Sequence, residues 1–233
     1  MSEPSRFQLI EHAKLCIDLM RYEDVIDCIE KVIQMGQPLS YVERKMLFST
    51  KAKIRQSLLE TESFLKVYLE RSGEVNTLFK NLKSKVEHEI AEHCDNYLNL
   101  LDNDHIKNDE NADAIVDYKC RRAQQHYIKL IYVPGNDKES DKKKTREMYE
   151  DAMKVARESL VACHPVRLWT ALQVARFHKN IRNSVEDALA VAKQAHDECV
   201  SNLFDLSVLG DSDLSTDSMI FLANLGSYIE KLT

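Results

Sequence analysis

The stretch that decides the fold is Cys163-His164-Pro165-Val166-Arg167-Leu168-Trp169-Thr170-Ala171-Leu172-Gln173, which contains the only tryptophan and one of the four prolines. Pro165 suits the first position of a helix, because its missing N–H would have no intrahelical partner there. Leu168, Leu172 and Arg176 then recur at one-turn spacing, which places a guanidinium beside an apolar stripe. The stretch therefore predicts a helix that begins at Pro165.

Composition extends this helical prediction to the rest of the chain. Among 233 residues only 5 are glycine and 4 are proline, and both types are disfavoured inside helices. No shift in composition marks a domain boundary, so we expect a single all-α domain over residues 1–233. Helix-breaking residues and polar clusters divide the chain into about nine helical segments. Two of these segments, roughly 40–71 and 75–102, are unusually long. A helix bundle and an irregular helical solenoid both fit this pattern.

Charge and cysteine usage indicate the partners and the compartment. The formal net charge of −6 disfavours nucleic acid, and no segment approaches the ~20 apolar residues that cross a bilayer. We therefore expect neither nucleic acid nor membrane as a partner. The cysteines are scattered without a C-x-x-C pair, which favours a reduced cytoplasmic protein, with the nucleus as the alternative. The six cysteines are Cys16, Cys28, Cys94, Cys120, Cys163 and Cys199.

Motifs for catalysis or metal binding are weak in this chain. His88 and His93 enclose a short segment with two glutamates on a predicted helix. The two histidines of a zinc protease are four residues apart and share one helical face, whereas a spacing of five separates His88 and His93 by about 140° around a regular helix. His12 and Cys16 share a helical face, yet no second pair of ligands follows, so a packed cysteine beside a surface histidine is the preferred interpretation. We expect no catalytic residue, no metal and no cofactor.

Two basic faces stand out along the predicted helices. Lys51 and Arg55 lie one turn apart on the long third helix, whereas Lys119 and His126 lie on one stripe of a later helix with Tyr127 beside them. One interpretation is that both faces are ordinary solvated surfaces. The other is a phosphate site, because basic side chains neutralise a phosphate and a tyrosine hydroxyl adds a directed donor.

The sequence also resembles the 14-3-3 family of phosphopeptide-binding adaptors. His164-Pro165-Val166-Arg167-Leu168 is similar to the family's His-Pro-Ile-Arg-Leu-Gly stretch, and Arg21-Tyr22-Glu23-Asp24-Val25 to its Arg-Tyr-Asp-Asp-Met. The resemblance implies nine antiparallel helices that form a cup-shaped subunit with a concave peptide groove. It also implies that residues of about 1–75 serve dimerisation and those of about 76–233 form the groove. Further collinear matches are Lys85-Val86-Glu87, Tyr118-Lys119, His126-Tyr127-Ile128, Ala192-Lys193-Gln194-Ala195 and Asn224-Leu225.

The resemblance assigns several residues to a dimer interface. In the family, the residues matching Arg21 and Asp24 pair across the dimer with those matching Glu89 and Lys85, and all four are present here. Exposed ion pairs contribute only ~0–1 kcal/mol each, so apolar residues would supply most of the association. These apolar residues are Leu15, Cys16 and Leu82. A homodimer, or a heterodimer with another family member, is expected.

The phosphate clamp of the family is altered here. Ala52 and Leu59 occupy the positions of its third-helix lysine and arginine, and Lys51 and Arg55 are the nearby basic substitutes. A histidine, His126, replaces the arginine of the later helix, while the resemblance retains Lys119 and Tyr127. Since imidazole is cationic only below about pH 6.5, we expect weak binding that strengthens on acidification.

The peptide-binding positions of the groove are also mixed. Asn224 and Leu172 are retained, whereas Gln173 and Asn180 replace an asparagine and a glutamate. Ile220, Tyr228 and Arg176 replace a leucine, a tryptophan and a valine. We therefore expect an adaptor for phosphoserine or phosphothreonine segments of client proteins. The alternative is a helical scaffold that binds unphosphorylated partners, and an enzyme is a distant third.

Overall fold

A computed structural model describes residues 3–72, 77–135 and 138–233 of the chain. Within these ranges the secondary structure is helical, without strands, and the predicted all-α class is confirmed. In the described part of the chain, nine helices have 13 or more residues and two have four. The helices are α1 (Arg6–Asp18), α2 (Tyr22–Gln34), α3 (Tyr41–Ser72), α4 (Thr77–Leu101), α5 (Asp104–Lys107), α6 (Ala112–Tyr132), α7 (Lys138–Ser159), α8 (Pro165–Ile181), α9 (Val185–Ser201), α10 (Asp205–Val208) and α11 (Ser212–Glu230).

The long segments predicted from the sequence match α3 and α4. The predicted start of the second one, near residue 75, lies outside the described residues. Among the helices that are described, none combines the length and the apolar character needed to span a bilayer.

One compact unit comprises Met1–Asp109 and Ile128–Asn136. Within it α1 packs on α2, α2 on α3, and α3 on α4. Val25, Ile29 and Val32 recur at one-turn spacing on α2 and are fully buried. This apolar stripe is what holds α2 between its two neighbours.

The other compact unit comprises Glu110–Tyr127 and Asp137–Thr233. Helix α8 lies at its centre and packs against α7, α9 and α11. From Pro165 to Ala175 every residue of α8 except Arg167 is buried. A helix that is covered on several sides needs no narrow apolar stripe, so its side chains are apolar or small around most of its circumference.

Helix α8 begins at Pro165, as the sequence predicts. His164 is its N-cap, and the His164 ring nitrogen Nδ1 accepts a hydrogen bond from the Val166 N–H at 3.3 Å. After the helix ends, Asn183 adopts a φ of 53°, in the left-handed region that asparagine tolerates better than most residues. This tight turn leads directly into α9, so that α8 and α9 form a helical hairpin.

The start of α3 carries a capping box that anchors α1. The Ser40 hydroxyl accepts from the Glu43 N–H at 3.3 Å, and the Glu43 carboxylate accepts from the Ser40 N–H at 2.7 Å. Arg6 of α1 donates to the same carboxylate at 2.6 and 2.9 Å. Burial raises the pKa of the Glu43 carboxyl, but the hydrogen bonds from Arg6 and Ser40 outweigh it, so the pKa lies below its ordinary value.

Candidate functional site

The predicted groove residues of α8 lie on one face of that helix. Gln173, Arg176 and Asn180 follow each other at spacings of three and four, which places them on the same side. The side-chain amide of Asn180 donates a hydrogen bond of 2.8 Å to the Tyr127 hydroxyl of α6. The structure thus brings together two residues that are 53 positions apart in the sequence.

Two further contacts join this face to neighbouring helices. The Gln124 side chain of α6 donates to the Gln173 side chain at 3.2 Å. The Tyr228 hydroxyl of α11 donates to the Ala175 carbonyl at 3.3 Å. Helices α6, α8 and α11 of the second unit therefore all contribute to one surface, which we call the α8 surface. Its predicted residues are Lys119, His126, Tyr127, Leu172, Gln173, Arg176, Asn180, Ile220, Asn224 and Tyr228.

Arg176 is an exposed cation of the α8 surface. No hydrogen-bond or ion-pair partner of its guanidinium is found among the described residues. Burial raises the pKa of the Tyr228 phenol, and the nearby positive charge of Arg176 partly offsets that rise. An arginine so placed can direct its donors toward an anion without first breaking an ion pair.

Lys119, in contrast, already has an anionic partner. Its ammonium lies 2.6 Å from the Asp151 carboxylate of α7, and both side chains are exposed. Such an exposed pair contributes ~0–1 kcal/mol, so an incoming phosphate can compete for the lysine at small cost. His126 is half-buried one position before Tyr127.

The orientation of Tyr127 is supported by aromatic packing that we did not predict from the sequence. Its ring contacts Phe177 edge-on, with ring centroids 6.1 Å apart, and Phe177 in turn contacts Tyr149 at 5.5 Å. Phe177 and Tyr149 are almost completely buried. The sequence did not indicate these contacts, because Tyr127, Tyr149 and Phe177 lie on three different helices.

The remaining predicted residues of the α8 surface differ in exposure. Ile220 and Asn224 are exposed and lie one turn apart on α11, with Tyr228 half-buried a further turn along. Leu172 is buried, so it supports the wall of the surface from within. The apolar Ile220 and the polar Asn224 and Tyr228 therefore follow each other at one-turn spacing along α11.

Trp169 takes part in a contact that the sequence did not reveal. The Arg121 guanidinium stacks 3.7 Å from the centre of the Trp169 ring, while the Asp117 carboxylate accepts from Arg121 at 3.0 Å. A planar guanidinium suits both interactions simultaneously. This cluster connects α6 to the first turns of α8.

Lys51 and Arg55, the other predicted phosphate ligands, are buried within the first unit. Their exposed fractions are 8% and 7%, so the interpretation as a solvated face is wrong for this pair. The Lys51 ammonium lies 5.6 Å from the centre of the Tyr97 ring, at the edge of an open cavity of about 510 Å³ that Glu30 also lines. Burial lowers the pKa of Lys51, and the negative charge of Glu30 opposes that change.

His93 lies close to these two cations. Burial, followed by the positive charges of Arg55 and Lys51, lowers the pKa of His93 to about 4. The ring is therefore neutral at physiological pH. The neutral His93 ring therefore adds no third positive charge beside the buried Lys51 and Arg55.

The charged residues of the predicted dimer interface pair within the first unit. Arg21 donates to the Asp24 carboxylate, and the Lys85 ammonium lies 3.8 Å from the Glu89 carboxylate. All four lie on the surface or near it. They are therefore available to exchange partners with a second subunit.

The apolar residues of the same prediction fall into two groups. Leu15 and Leu82 are exposed by 54% and 45% of their surface, whereas Cys16 is buried. The Cys16 sulfur lies 3.9 Å from the ring of the exposed His12, in agreement with the packing interpretation of this pair. In the part of the chain that the structure describes, no group of three or more histidine, cysteine or acidic residues is arranged to bind a metal.

Comparison with known proteins agrees with this architecture. The model of the 14-3-3 protein family matches residues 12–230. A 14-3-3-like protein 1 of Caenorhabditis elegans is 30% identical over 203 residues, covering 86% of this chain and 82% of the relative. The 14-3-3 protein zeta of Xenopus laevis is 29% identical with 86% and 83% coverage, and the 14-3-3 protein beta/alpha of Rattus norvegicus is 28% identical with 86% and 82% coverage. The chain therefore belongs to the 14-3-3 family, whose members are protein-binding adaptors rather than enzymes.

Proposed function

We propose that this protein is an adaptor that binds phosphoserine or phosphothreonine segments of client proteins through a divergent, weakened phosphate clamp. The observation that carries the proposal is the exposed Arg176 guanidinium on the same helical face as the Tyr127–Asn180 hydrogen bond. A phosphate ester has about −1.5 to −2 charges and three strong acceptor oxygens. Arg176 supplies a forked donor, and Tyr127 supplies a hydroxyl.

The small number of available cations in the proposed clamp explains why its phosphate binding is weak. A clamp of several arginines supplies bidentate geometry as well as charge. Here Arg176 is accompanied by Lys119, which must leave Asp151, and by His126; histidine as a residue type becomes cationic only in acid. Binding consequently strengthens between pH 7.5 and 6, and protonation of the phosphate itself near pH 6 offsets part of the gain.

The peptide backbone has its own ligands in this proposal. Asn224 and Tyr228 provide amide and hydroxyl groups, and Ile220 provides an exposed apolar contact. Gln173 remains a predicted ligand, although its side chain is buried and bonded to Gln124. Lys51 and Arg55 remain predicted ligands of the phosphate. Both side chains are buried in the first unit. The variants Lys51→Ala and Arg55→Ala therefore test their role as phosphate ligands separately from the role of the exposed Arg176.

Dimerisation is typical of the family, and we extend it to this chain. Exposed Leu15 and Leu82 support a homodimer or a heterodimer with another family member, because exposed apolar side chains gain by burial in an interface. Arg21, Asp24, Lys85 and Glu89 provide the complementary charges. Cytoplasmic residence, also typical of the family, completes the proposal.

Paired titration tests the function directly. One peptide, with and without phosphate on a central serine, is titrated calorimetrically into the full chain at pH 7.5. We expect measurable affinity that depends on the phosphate. Equal affinity of the two forms would overturn the proposal and favour a helical scaffold for unphosphorylated partners.

A further inference from the structure

Two buried cysteines from distant parts of the sequence meet in the second unit. Cys163 and Cys199 are 36 residues apart, and their sulfur atoms lie 2.8 Å from each other. Unbonded heavy atoms usually pack at about 3.5–4.0 Å, whereas the two sulfurs of a disulfide are about 2.05 Å apart. The pair therefore needs only a small displacement to form a bond.

The position of this pair in the fold is specific. Helices α8 and α9 are connected at one end by the turn at Asn183, and the two cysteines lie at the opposite, open end of this hairpin. The Cys163 thiol there lies 3.2 Å from the Cys199 carbonyl and 3.3 Å from the Asn202 carbonyl. These carbonyls fix the Cys163 side chain toward the end of α9.

A neighbouring ion pair stabilises the same end of the hairpin. Arg167 of α8 lies 2.5 Å from the Glu198 carboxylate of α9 and donates to the Leu160 carbonyl at 2.8 Å. The two chain segments that carry the cysteines are thus already held together. A cross-link there would join two segments that already contact each other.

We propose that Cys163 and Cys199 form an oxidation site that takes a hydroperoxide and becomes an intramolecular disulfide. One thiol, as its thiolate, attacks the O–O bond, gives a sulfenic acid and releases the reduced hydroperoxide as water or an alcohol. The sulfur of the second cysteine then attacks the sulfenic sulfur, so that the S–S bond forms, the S–O bond breaks and water leaves. Two thiols lose two electrons in total, and the hydroperoxide accepts them.

The surroundings favour a selective and reversible reaction. Both cysteines are buried, Cys163 in the turn before α8 and Cys199 in the last turn of α9, with a further turn directly after it. Oxidation therefore waits on local opening of these turns, and once one sulfur is oxidised the other is the nearest nucleophile. Disulfides of reducing compartments are typically transient and redox-sensing, which suits this geometry.

The consequence is a covalent closure of the hairpin that carries Gln173, Arg176 and Asn180. In the reduced protein the open end is held by non-covalent contacts alone. In the oxidised protein the start of α8 is bonded to the end of α9. Oxidation thereby restrains α8, one of the three helices that form the α8 surface, independently of whether that surface binds a phosphate.

Mass spectrometry of the native full chain tests the proposal. The reduced protein is treated with a small excess of hydrogen peroxide, unfolded in the presence of an alkylating reagent, and digested without reductant. We expect a loss of two hydrogens, a peptide pair joined through Cys163 and Cys199, and alkylation of the other four cysteines. Dithiothreitol should reverse the change.

Variants and an unfolded control make the outcome decisive. Cys163→Ser and Cys199→Ser should each abolish the joined peptide and leave a sulfenic acid that dimedone traps on the remaining cysteine. The same treatment in urea should distribute disulfides among all six cysteines. Alkylation of all six residues in the native protein, or recovery of Cys163 and Cys199 as separate sulfinic acids, would overturn the proposal.

Discussion

The Asn180 side-chain amide donates to the Tyr127 hydroxyl at 2.8 Å, and this single contact joins two of the helices that form the α8 surface. The tyrosine oxygen is the acceptor in this hydrogen bond. Asn180 is a neutral partner and therefore adds no negative charge of its own beside the hydroxyl. A neutral amide in this position favours an anionic ligand more than a carboxylate would.

Removal of that hydroxyl should weaken phosphopeptide binding. We expect Tyr127→Phe to lower the affinity for a phosphorylated peptide by about 5–10-fold, because one hydrogen bond to a charged group is lost. Asn180→Ala should have a smaller effect, and the double variant should lose less than the sum of the two. Calorimetric titration measures all three. Unchanged affinity in Tyr127→Phe would place the phosphate away from α6.

Arg176 should account for most of the dependence on the phosphate. Arg176→Ala is expected to reduce the ratio of affinities for phosphorylated and unphosphorylated peptide by about 10-fold, since a charge-assisted donor is removed. Lys144→Ala is the matched control, because Lys144 is an exposed cation on α7 of the same unit. If Lys144→Ala reduces this ratio as much as Arg176→Ala does, the dependence on phosphate reflects the overall charge of the unit and not a contact of Arg176.

Glu43 should make the stability of the protein sensitive to acid. At pH 7 we expect Glu43→Gln to lower the free energy of unfolding by about 1–2 kcal/mol, through loss of charge-assisted hydrogen bonds to Arg6 and Ser40. The folded-state pKa of Glu43 lies below its ordinary value near 4.5. Its contribution is therefore complete above that value and is lost as the pH falls through the lowered pKa.

Urea denaturation of parent and Glu43→Gln at several pH values checks this expectation. The difference between the two proteins should be largest at neutral pH and should shrink below about pH 4. Glu60→Gln, on an exposed part of α3, serves as the control and should change little. A difference that is independent of pH would show that the carboxylate charge is irrelevant.

His93 should destabilise the folded protein in acid. Its folded-state pKa is about 4, against an ordinary value of 6.5, so the folded protein resists protonation. Stability is then complete above pH 6.5 and falls as the pH drops from 6.5 toward 4, by about 1–2 kcal/mol after allowance for solvent screening of the partly exposed ring. His93→Gln should flatten this slope, whereas His88→Gln, at an exposed position of α4, should leave it in place.

The Arg121–Trp169 stack offers a fluorescence readout. Trp169 is the only tryptophan, so its emission reports on this one contact. Arg121→Lys keeps the charge but loses the planar stacking, and we expect altered emission together with a loss of about 0.5–1.5 kcal/mol of stability. Arg122→Lys, at the adjacent position, is the comparison. Identical spectra for the parent and Arg121→Lys would exclude a contribution of the stack.

Several features were predictable because they depend on neighbours in the chain. The start of α8 at Pro165 follows from the fixed φ of proline, and the Ser40–Glu43 capping box needs only a three-residue spacing. Burial of Lys51 and Arg55 was not predictable, because their spacing is the same on an exposed and on a buried face. The partners of Lys119 and Gln173 were equally hidden, since Asp151 and Gln124 belong to other helices.

The sequence by itself determined the helical class and the family, because scarce glycine and proline, local capping signals and collinear motifs are all properties of the linear chain. It also predicted which residues line the groove. Only the tertiary structure decided which of those residues are available. Packing of α6, α8 and α11 leaves Arg176 exposed, orients Tyr127 through Asn180, and brings Cys163 against Cys199. The physical reason is that burial and long-range pairing depend on how helices pack, and residue spacing within one helix does not contain that information.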